Sequence, residues 1–292
     1  MPIWNRAYYG SLSFRFRGIT EGLKSRLEGI VAGRVLPSAA AIPIGSARKM
    51  NAAVLFFDIR GSSNRSGYVA LYTLDIVIPM IMQIVHDHDG YIEKNTGDGV
   101  MAIITGMDEK NASSGSLEIA MTCFYVLKNL INPHLAALGI PAVDARIGID
   151  FGELLVARIG TPQGSAKQER SFLTAIGDAA NIACRLQEQA GTNQIWVGNM
   201  LRSLAPQDWQ GFFKPVFPAE WTWVISGTTL PYPAWHFSAE RPEVQLPTPF
   251  QILTSPPPLT PPGLLDYTPS RQTNLTVRGS ILASLLAKKK ST

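Results

Sequence analysis

Ala53-Val54-Leu55-Phe56-Phe57-Asp58-Ile59 is a short apolar run that carries one carboxylate near its end. Nothing in it alternates with polar residues, so it reads as a strand covered on both faces. Working outward, the spacing predicts an amphipathic helix over about Val69 to His86 and a turn at His88-Asp89-Gly90. Tyr91-Ile92-Glu93-Lys94 then begins a hairpin, Asn95-Thr96-Gly97-Asp98-Gly99 makes its tight turn, and Val100-Met101-Ala102-Ile103-Ile104 returns. A second helix is expected from about Ser116 to Leu138. It is followed by a strand over Val143 to Asp150 that resumes, after a turn, over Gly152 to Ala157. Phe172 to Ala175 precedes a helix from Asp178 to Glu188, Ile195-Trp196-Val197 is a further strand, and Trp221 to Phe237 forms a closing hairpin. Strands and helices alternating around an internal hairpin predict an α/β (α+β) domain, a mixed sheet flanked by helices.

Hydrophobic residues make up 46% of the 292, enough for one sizeable core with extensions, and only 16% are charged. That balance excludes disorder of the whole chain. A net charge of +4 suits a small anionic ligand, but the dense Lys/Arg stripe of a nucleic-acid binder is missing. Residues 1–50 read as a helical leader with Leu23, Leu27, Ile30 and Val31 at helical spacing, 51–238 as the main domain, and 239–292 as a Pro-rich tail with a basic end at Lys288-Lys289-Lys290. The first residues lack the apolar core of a secretory signal, and the greasy stretch Val69 to Val85 holds Asp75 and Pro79, so neither secretion nor membrane insertion is expected. Cys123 and Cys184 lie in apolar helical stretches without metal-type spacing, consistent with reduced thiols in a cytoplasmic protein.

Two carboxylates carry the chemical signal. Asp58 closes a buried strand and Asp98 sits in a glycine-flanked turn, where each alone is an ordinary turn residue; together they could gather on one rim and hold a hard divalent cation. Four stretches occur in order: Phe56-Phe57-Asp58-Ile59-Arg60-Gly61-Ser62-Ser63, Lys94-Asn95-Thr96-Gly97-Asp98-Gly99-Val100-Met101-Ala102, Arg146-Ile147-Gly148-Ile149-Asp150-Phe151-Gly152, and Ile176-Gly177-Asp178-Ala179-Ala180-Asn181-Ile182-Ala183-Cys184-Arg185-Leu186. Over roughly residues 50 to 238 this series resembles the catalytic domain of class III adenylate and guanylate cyclases. The resemblance implies a ferredoxin-like βαββαβ core working as a homodimer with shared active sites, and cyclisation of a nucleoside triphosphate with loss of pyrophosphate. It implies two divalent metal ions, Mn²⁺ or Mg²⁺, per site, one lowering the pKa of the ribose hydroxyl and the other clamping the phosphates. By position, Asp58, Asp98 and the backbone carbonyl of Ile59 are the implied metal ligands. Arg60, Gly61, Ser62 and Ser63, at the start of the next helix, are implied to meet the triphosphate through backbone N–H groups. Asn181 and Arg185, four apart on one helix face, are implied to orient the ribose and stabilise the transition state. The lysines that often hold pyrophosphate in a late hairpin have no equivalent in Val224 to Thr229, leaving Lys167, Arg170 and Lys214 as candidates.

Lys94 and Thr174 fall where the family reads the base, a pairing seen in bacterial adenylate cyclases, and their hydrogen bonds also suit a uracil carbonyl. Phe56 shares a strand face with Asp58 and either walls the base pocket or packs in the core. One cyclase domain behind a short leader resembles the pyrimidine cyclases of the bacterial Pycsar antiphage system. That likeness implies cyclic UMP made from UTP and read by a separate effector. An adenylate cyclase and a non-catalytic dimerising regulator are the competing readings.

Overall fold

In the computed structural model, which describes residues 31–33, 41–62, 65, 67–161 and 171–238, the apolar run lies inside a strand of 14 residues. The elements are β1 (Val31–Ala32), β2 (Ala47–Arg60), α1 (Gly67–Asp87), β3 (Tyr91–Asn95), β4 (Gly99–Ile104), α2 (Glu109–Val126), a π-helical stretch Leu127–Ile131, α3 (Asn132–Ala137), β5 (Asp144–Gly160), β6 (Ser171–Ile176), α4 (Asp178–Gln189), β7 (Ile195–Gly198), α5 (Asn199–Leu204), β8 (Phe213–Val216) and β9 (Ala234–Phe237). The strands form one sheet in the order β3-β4-β2-β5-β7-β9-β8, with β1 beside β2 and β6 beside β5. Within it, β2-α1-β3-β4-α2-β5 traces the expected βαββαβ path, and β2 is antiparallel to both neighbours, β4 and β5.

Because β2 is central, its two faces serve two layers. Leu55, Phe57 and Ile59 point into the larger core with Val77, Ile81 and Val85 of α1 and Leu117, Ile119 and Ala120 of α2. Ala52 and Val54 point the other way, under Ala179, Ala180 and Ala183 of α4, with Phe56 packed at the margin. The small side chains of α4 let it lie close to the sheet, and Gly148 of β5 makes the approach possible. A Cβ at Gly148 would collide with the Ala183 carbonyl oxygen and the backbone nitrogen of Gln187 and stand 2.8 Å from the Gln187 Cα.

Several local expectations are corrected. Val143 to Ala157 does not turn at Gly152: β5 runs straight through it for 17 residues. Gly152 serves a helix contact instead, since a Cβ there would lie 3.2 Å from the Ala179 Cβ. The second helix starts earlier, where Asp108 Oδ1 accepts a hydrogen bond from Asn111 N at 2.7 Å as an N-cap. Its end widens into the π-helical stretch before Pro133, which has no N–H to continue the α-helical ladder. The closing hairpin pairs β9 with β8, not with Trp221 to Thr229, where a lone bridge joins Val224 to Pro231. Trp221 and Trp223 pack instead against Ile182 and Leu186 on the back of α4. Val31 is in a strand, parallel to β2, while the rest of the expected leader helix and the tail beyond Ser238 lie outside the described residues. α1 is, by length and composition alone, apolar enough to cross a membrane over Val69–Asp87, Asp75 and Pro79 notwithstanding. It nevertheless buries Val77, Ile78, Ile81, Ile84 and Val85 in the core.

A buried carboxylate ties the far side of the sheet together. Asp150 of β5 is 1% exposed. The Tyr232 hydroxyl donates to its Oδ1 at 3.0 Å and itself accepts from Met200 N at 2.7 Å. A Cβ at Gly198 would collide with the Asp150 carboxylate, so only glycine fits there. Burial pushes the Asp150 carboxyl up to about 7, against the opposing hydrogen bonds from the Phe151 backbone, Tyr232 and the Leu201 backbone.

Two outcomes are expected. Gly148→Ala forces α4 off the sheet and should destabilise the fold by about 3 kcal/mol in denaturant unfolding. For Asp150, the folded chain keeps its proton at a pH where the unfolded chain has lost it. The stability linked to this group is therefore full below the ordinary carboxylate range and falls as pH rises from about 4 to about 7. Asp150→Asn removes that slope. Its unfolding midpoint should exceed that of the unsubstituted chain at pH 8 and approach it at pH 5, a difference of up to roughly 4 kcal/mol.

Candidate active site

The register of the sheet assembles the site. Lys94 of β3 pairs with Met101 of β4, Met101 with Phe56 of β2, and Phe56 with Gly148 of β5, so these residues form one row on the α4 face. One step along β2 on that face, Asp58 pairs with Gly99 on one side and Arg146 on the other. A β-bulge at Glu93 in β3, between Ile92 and Lys94, brings Lys94 into this row.

Asp58 and Asp98 come together at the end of this row. Ile59 N donates to the Asp98 carbonyl at 3.0 Å, which holds the hairpin turn against the end of β2. Gly97 has φ of 100° in that turn, and its N–H donates to Asn95 Oδ1 at 2.8 Å, so the turn is built from its own residues. The Ser62 hydroxyl donates to Asp98 Oδ2 at 2.5 Å. Asp58 Oδ2 accepts from Arg146 Nε and Nη2, each at 3.0 Å. Burial raises the Asp58 pKa, and the negative charge of Asp98 adds to the effect, while Arg146 and then Gln187 oppose it. Gln187, only 6% exposed, acts on the same carboxylate, yet its Nε2 has no hydrogen-bond partner.

These groups fit a divalent cation. Among the described residues no cluster of three or more His, Cys, Asp and Glu side chains converges. A cation at Asp58 and Asp98 would thus be completed by backbone carbonyl, water and phosphate oxygens, the habit of Mg²⁺ and related hard ions. Gly99 keeps the approach clear: a Cβ there would stand 3.5 Å from Asp58 Oδ1 and 2.6 Å from the Phe57 carbonyl oxygen.

The other expected site residues distribute around this pair. Arg60 donates from Nη1 to Thr192 Oγ1 at 3.0 Å, and Gly61 takes φ of 69° in the turn leaving β2. α1 begins only at Gly67, so Arg60 to Ser62 are not its first turn; Ser63 lies outside the described residues. Asn181 and Arg185 are exposed on one face of α4, where Arg185 Nη1 pairs with Glu188 Oε2 at 2.9 Å. No hydrogen bond or ion pair among the described residues joins either of them to Asp58 or Asp98. Cys184, between them on α4, feels the charges of Glu188, Lys94, Arg185 and Asp58, which places all four around one helix. Lys94 is half exposed, with Nζ 3.5 Å from Oε2 of the buried Glu93 side chain. Thr174 of β6 lies between exposed Phe172 and Ile176 on the face opposite Leu173 and Ala175, away from Phe56. Lys167 and Arg170 lie outside the described residues, and Lys214 sits on β8. Sequence reading assigned no role to Arg146 or Gln187. Arg146 lay inside a quoted stretch, but its place opposite Asp58 follows only from the strand register.

No protein-family model matches the chain. Among curated proteins it is similar to an adenylate cyclase of Anabaena cylindrica, 23% identical over 180 residues that cover 56% of this chain and 33% of that protein. It is also similar to a cytidylate cyclase of Escherichia coli, 27% identical over 161 residues, 50% of this chain and 33% of that one. The chain thus spans about a third of the length of these two relatives. Its structure superposes on the adenylyl cyclase CyaB from P. aeruginosa with a TM-score of 0.55 and 19% identity, covering 68% of this chain and 99% of that one. The guanylyl cyclase Cya2 gives the same TM-score and identity, 0.55 and 19%, over 68% of this chain and 98% of its own. The fold is that of a nucleotide cyclase catalytic domain. In this fold the Asp58–Asp98 pair lies where the end of β2 meets the β3–β4 turn, beside the helix that carries Asn181 and Arg185.

Proposed function

We propose that the chain is a nucleotide cyclase, with residues 51–238 as its catalytic domain, converting a nucleoside triphosphate to a 3′,5′-cyclic nucleotide and pyrophosphate. The observation that supports this most is the meeting of Asp58, near the end of β2, with Asp98, in the β3–β4 turn beside it, within a nucleotide cyclase fold. In the reaction the ribose 3′-oxygen bonds to the α-phosphorus, the bond from that phosphorus to the leaving pyrophosphate breaks, and the 3′-hydroxyl proton departs. Bound Mg²⁺ or Mn²⁺ would supply Lewis acidity to the hydroxyl and the phosphates. Asp58, Asp98 and the Ile59 carbonyl would hold it. Ser62 braces Asp98 from the turn, and Arg60 and Gly61 border the phosphates.

A homodimer with shared sites is supported by the way one chain divides its residues. Asn181 and Arg185 face solvent on α4 and do not reach their own chain's carboxylates. The paired strands β5 and β6 expose Ile159 at 54%, Phe172 at 61% and Ile176 at 46%, with Thr174 among them. An apolar ribbon of that kind suits burial against a second copy. A superposable neighbour, from a fusion protein of Blastocladiella emersonii, is a non-canonical dimeric guanylyl cyclase domain, which supports pairing of such domains but not one particular arrangement, with a TM-score of 0.51 and 13% identity over 67% of this chain and 100% of that one. Arg185 of one copy would then act on the nucleotide held by Asp58 and Asp98 of the other.

For the base we favour uracil, with UTP converted to cyclic UMP as a messenger in antiphage defence, read by a separate effector. The half-exposed Lys94 offers donors to a pyrimidine carbonyl, and the similarity to a pyrimidine nucleotide cyclase, the cytidylate cyclase, supports this class. ATP is the second reading, supported by the similarity to the Anabaena cylindrica adenylate cyclase.

Purified chain incubated with Mn²⁺ and each of the four nucleoside triphosphates should yield a cyclic product, with UTP turned over fastest. Product from ATP alone would remove the pyrimidine reading, and no product from any would leave a non-catalytic dimerising regulator. Asp98→Ala and Arg185→Ala should each be inactive, and mixing the two chains should restore activity in the heterodimer's one intact site. Heterodimers that form and stay inactive would count against shared sites.

A further inference from the structure

Away from the carboxylates, on the α2 side of the sheet, lies an open groove of about 570 Å³. Its lining runs from half-buried Phe124 of α2 to buried Ile195 and Phe237 of the strands, and no carboxylate is among the described residues that line it. Two asparagines fix its walls. The Asn132 amide accepts from Val143 N at 2.7 Å and donates to the Val143 carbonyl at 3.0 Å, and Asn193 Oδ1 accepts from Ala145 N at 3.1 Å. Exposed Lys128, from the π-helical stretch, also lines the groove and has no ion pair among the described residues. Ser238 lines it too. Its N–H donates to the Phe212 carbonyl at 3.1 Å, so the chain is pinned at the groove where β9 ends.

We propose that the groove is the seat of the chain's own continuation, with Glu240-Arg241-Pro242-Glu243-Val244-Gln245-Leu246 as its occupant. Reach is sufficient, because an extended chain advances up to roughly 3.5 Å per residue and Leu246 follows Ser238 by eight residues. In an extended chain Val244 and Leu246 share one face, which suits the apolar lining. Two glutamates against one arginine give the segment a net negative charge that complements Lys128. Pro242 and Pro247 restrict the chain before it docks, which lowers the entropy lost on ordering. A segment that starts at the groove also has a high effective concentration there, an advantage that a separate partner lacks. Ile195 and Phe237 belong to the core shared with α2, whereas the carboxylate row lies under α4, so the occupant leaves the candidate active site uncovered.

Disulfide trapping in the full chain tests this. Gln245→Cys is paired either with Asn129→Cys in the groove or with Gly211→Cys. The second position lies beside Phe212, near the same tether point, and a side chain there meets nothing within 4 Å. The bond within one chain, followed by peptide mapping after mild oxidation, is expected at least about 10-fold faster from Asn129→Cys than from Gly211→Cys. Adding Lys128→Glu should slow it by about 2- to 5-fold at low salt, and adding Glu240→Lys with Glu243→Lys should restore it. Equal rates from the two positions, or a rate indifferent to Lys128→Glu, would overturn the proposal. Bonds that form between chains instead would assign the groove to a second copy, and a small molecule retained in native mass spectra alongside equal rates would assign it to a ligand. Either result overturns the proposal as well, and none of these outcomes bears on the cyclase reading.

Discussion

The central strand β2 is buried on both faces through its middle and then carries a carboxylate, Asp58, two residues before its end, and most of the site follows from that one transition. Buried strands need apolar residues, which is why Ala52 to Phe57 carries no charge. Asp58 can tolerate its partly buried place because neighbouring strands bring it compensation: Arg146 from β5 on one side and the open space of Gly99 from β4 on the other. Burial and the nearby Asp98 both raise its pKa, and the guanidinium opposes them. The result is a carboxylate that is shielded, oriented and close to a second carboxylate, which is the arrangement a hard cation needs and an ordinary strand end lacks.

Helix α4 is held to this strand end by close packing rather than by polar contacts. Gly148 and Gly152 in β5, facing the alanines of α4, bring the helix backbone onto the sheet. That proximity lets the Glu188 carbonyl meet Arg146 and puts Gln187 beside Asp58, while Asn181 and Arg185 stay on the outer face. One helix therefore buttresses the carboxylate of its own chain and offers charge outward. Behind it, Trp221, Trp223 and Tyr232 fill the space between the helix and the β9 edge, and the Tyr232 hydroxyl reaches through to the buried Asp150. The loop before β9 is thus coupled to the interior, although it carries no lysine for a phosphate.

Much of the architecture was legible in the residues. The uninterrupted run at Ala53, the glycine-flanked turn at Asp98 and the four-residue spacing of Asn181 and Arg185 each encode local structure through nearest neighbours, and each appears where the pattern put it. Two of the misreadings were of one kind. Gly152 looked like a turn and Trp221 to Thr229 looked like a strand because glycine and aromatic residues have those local preferences; in the fold, both answer to α4, a partner distant in sequence.

The sequence by itself determined that a mixed sheet with flanking helices forms and that two carboxylates stand near turns, because periodicity and turn chemistry act over a few residues. Only the tertiary structure decided that Arg146 grips Asp58, that Gln187 is buried beside it and that Asp150 is sealed under Tyr232. Those facts depend on strand register and helix docking. Register is set by the fit of whole faces against one another, and a one-residue slip would send Arg146 to the opposite side of the sheet.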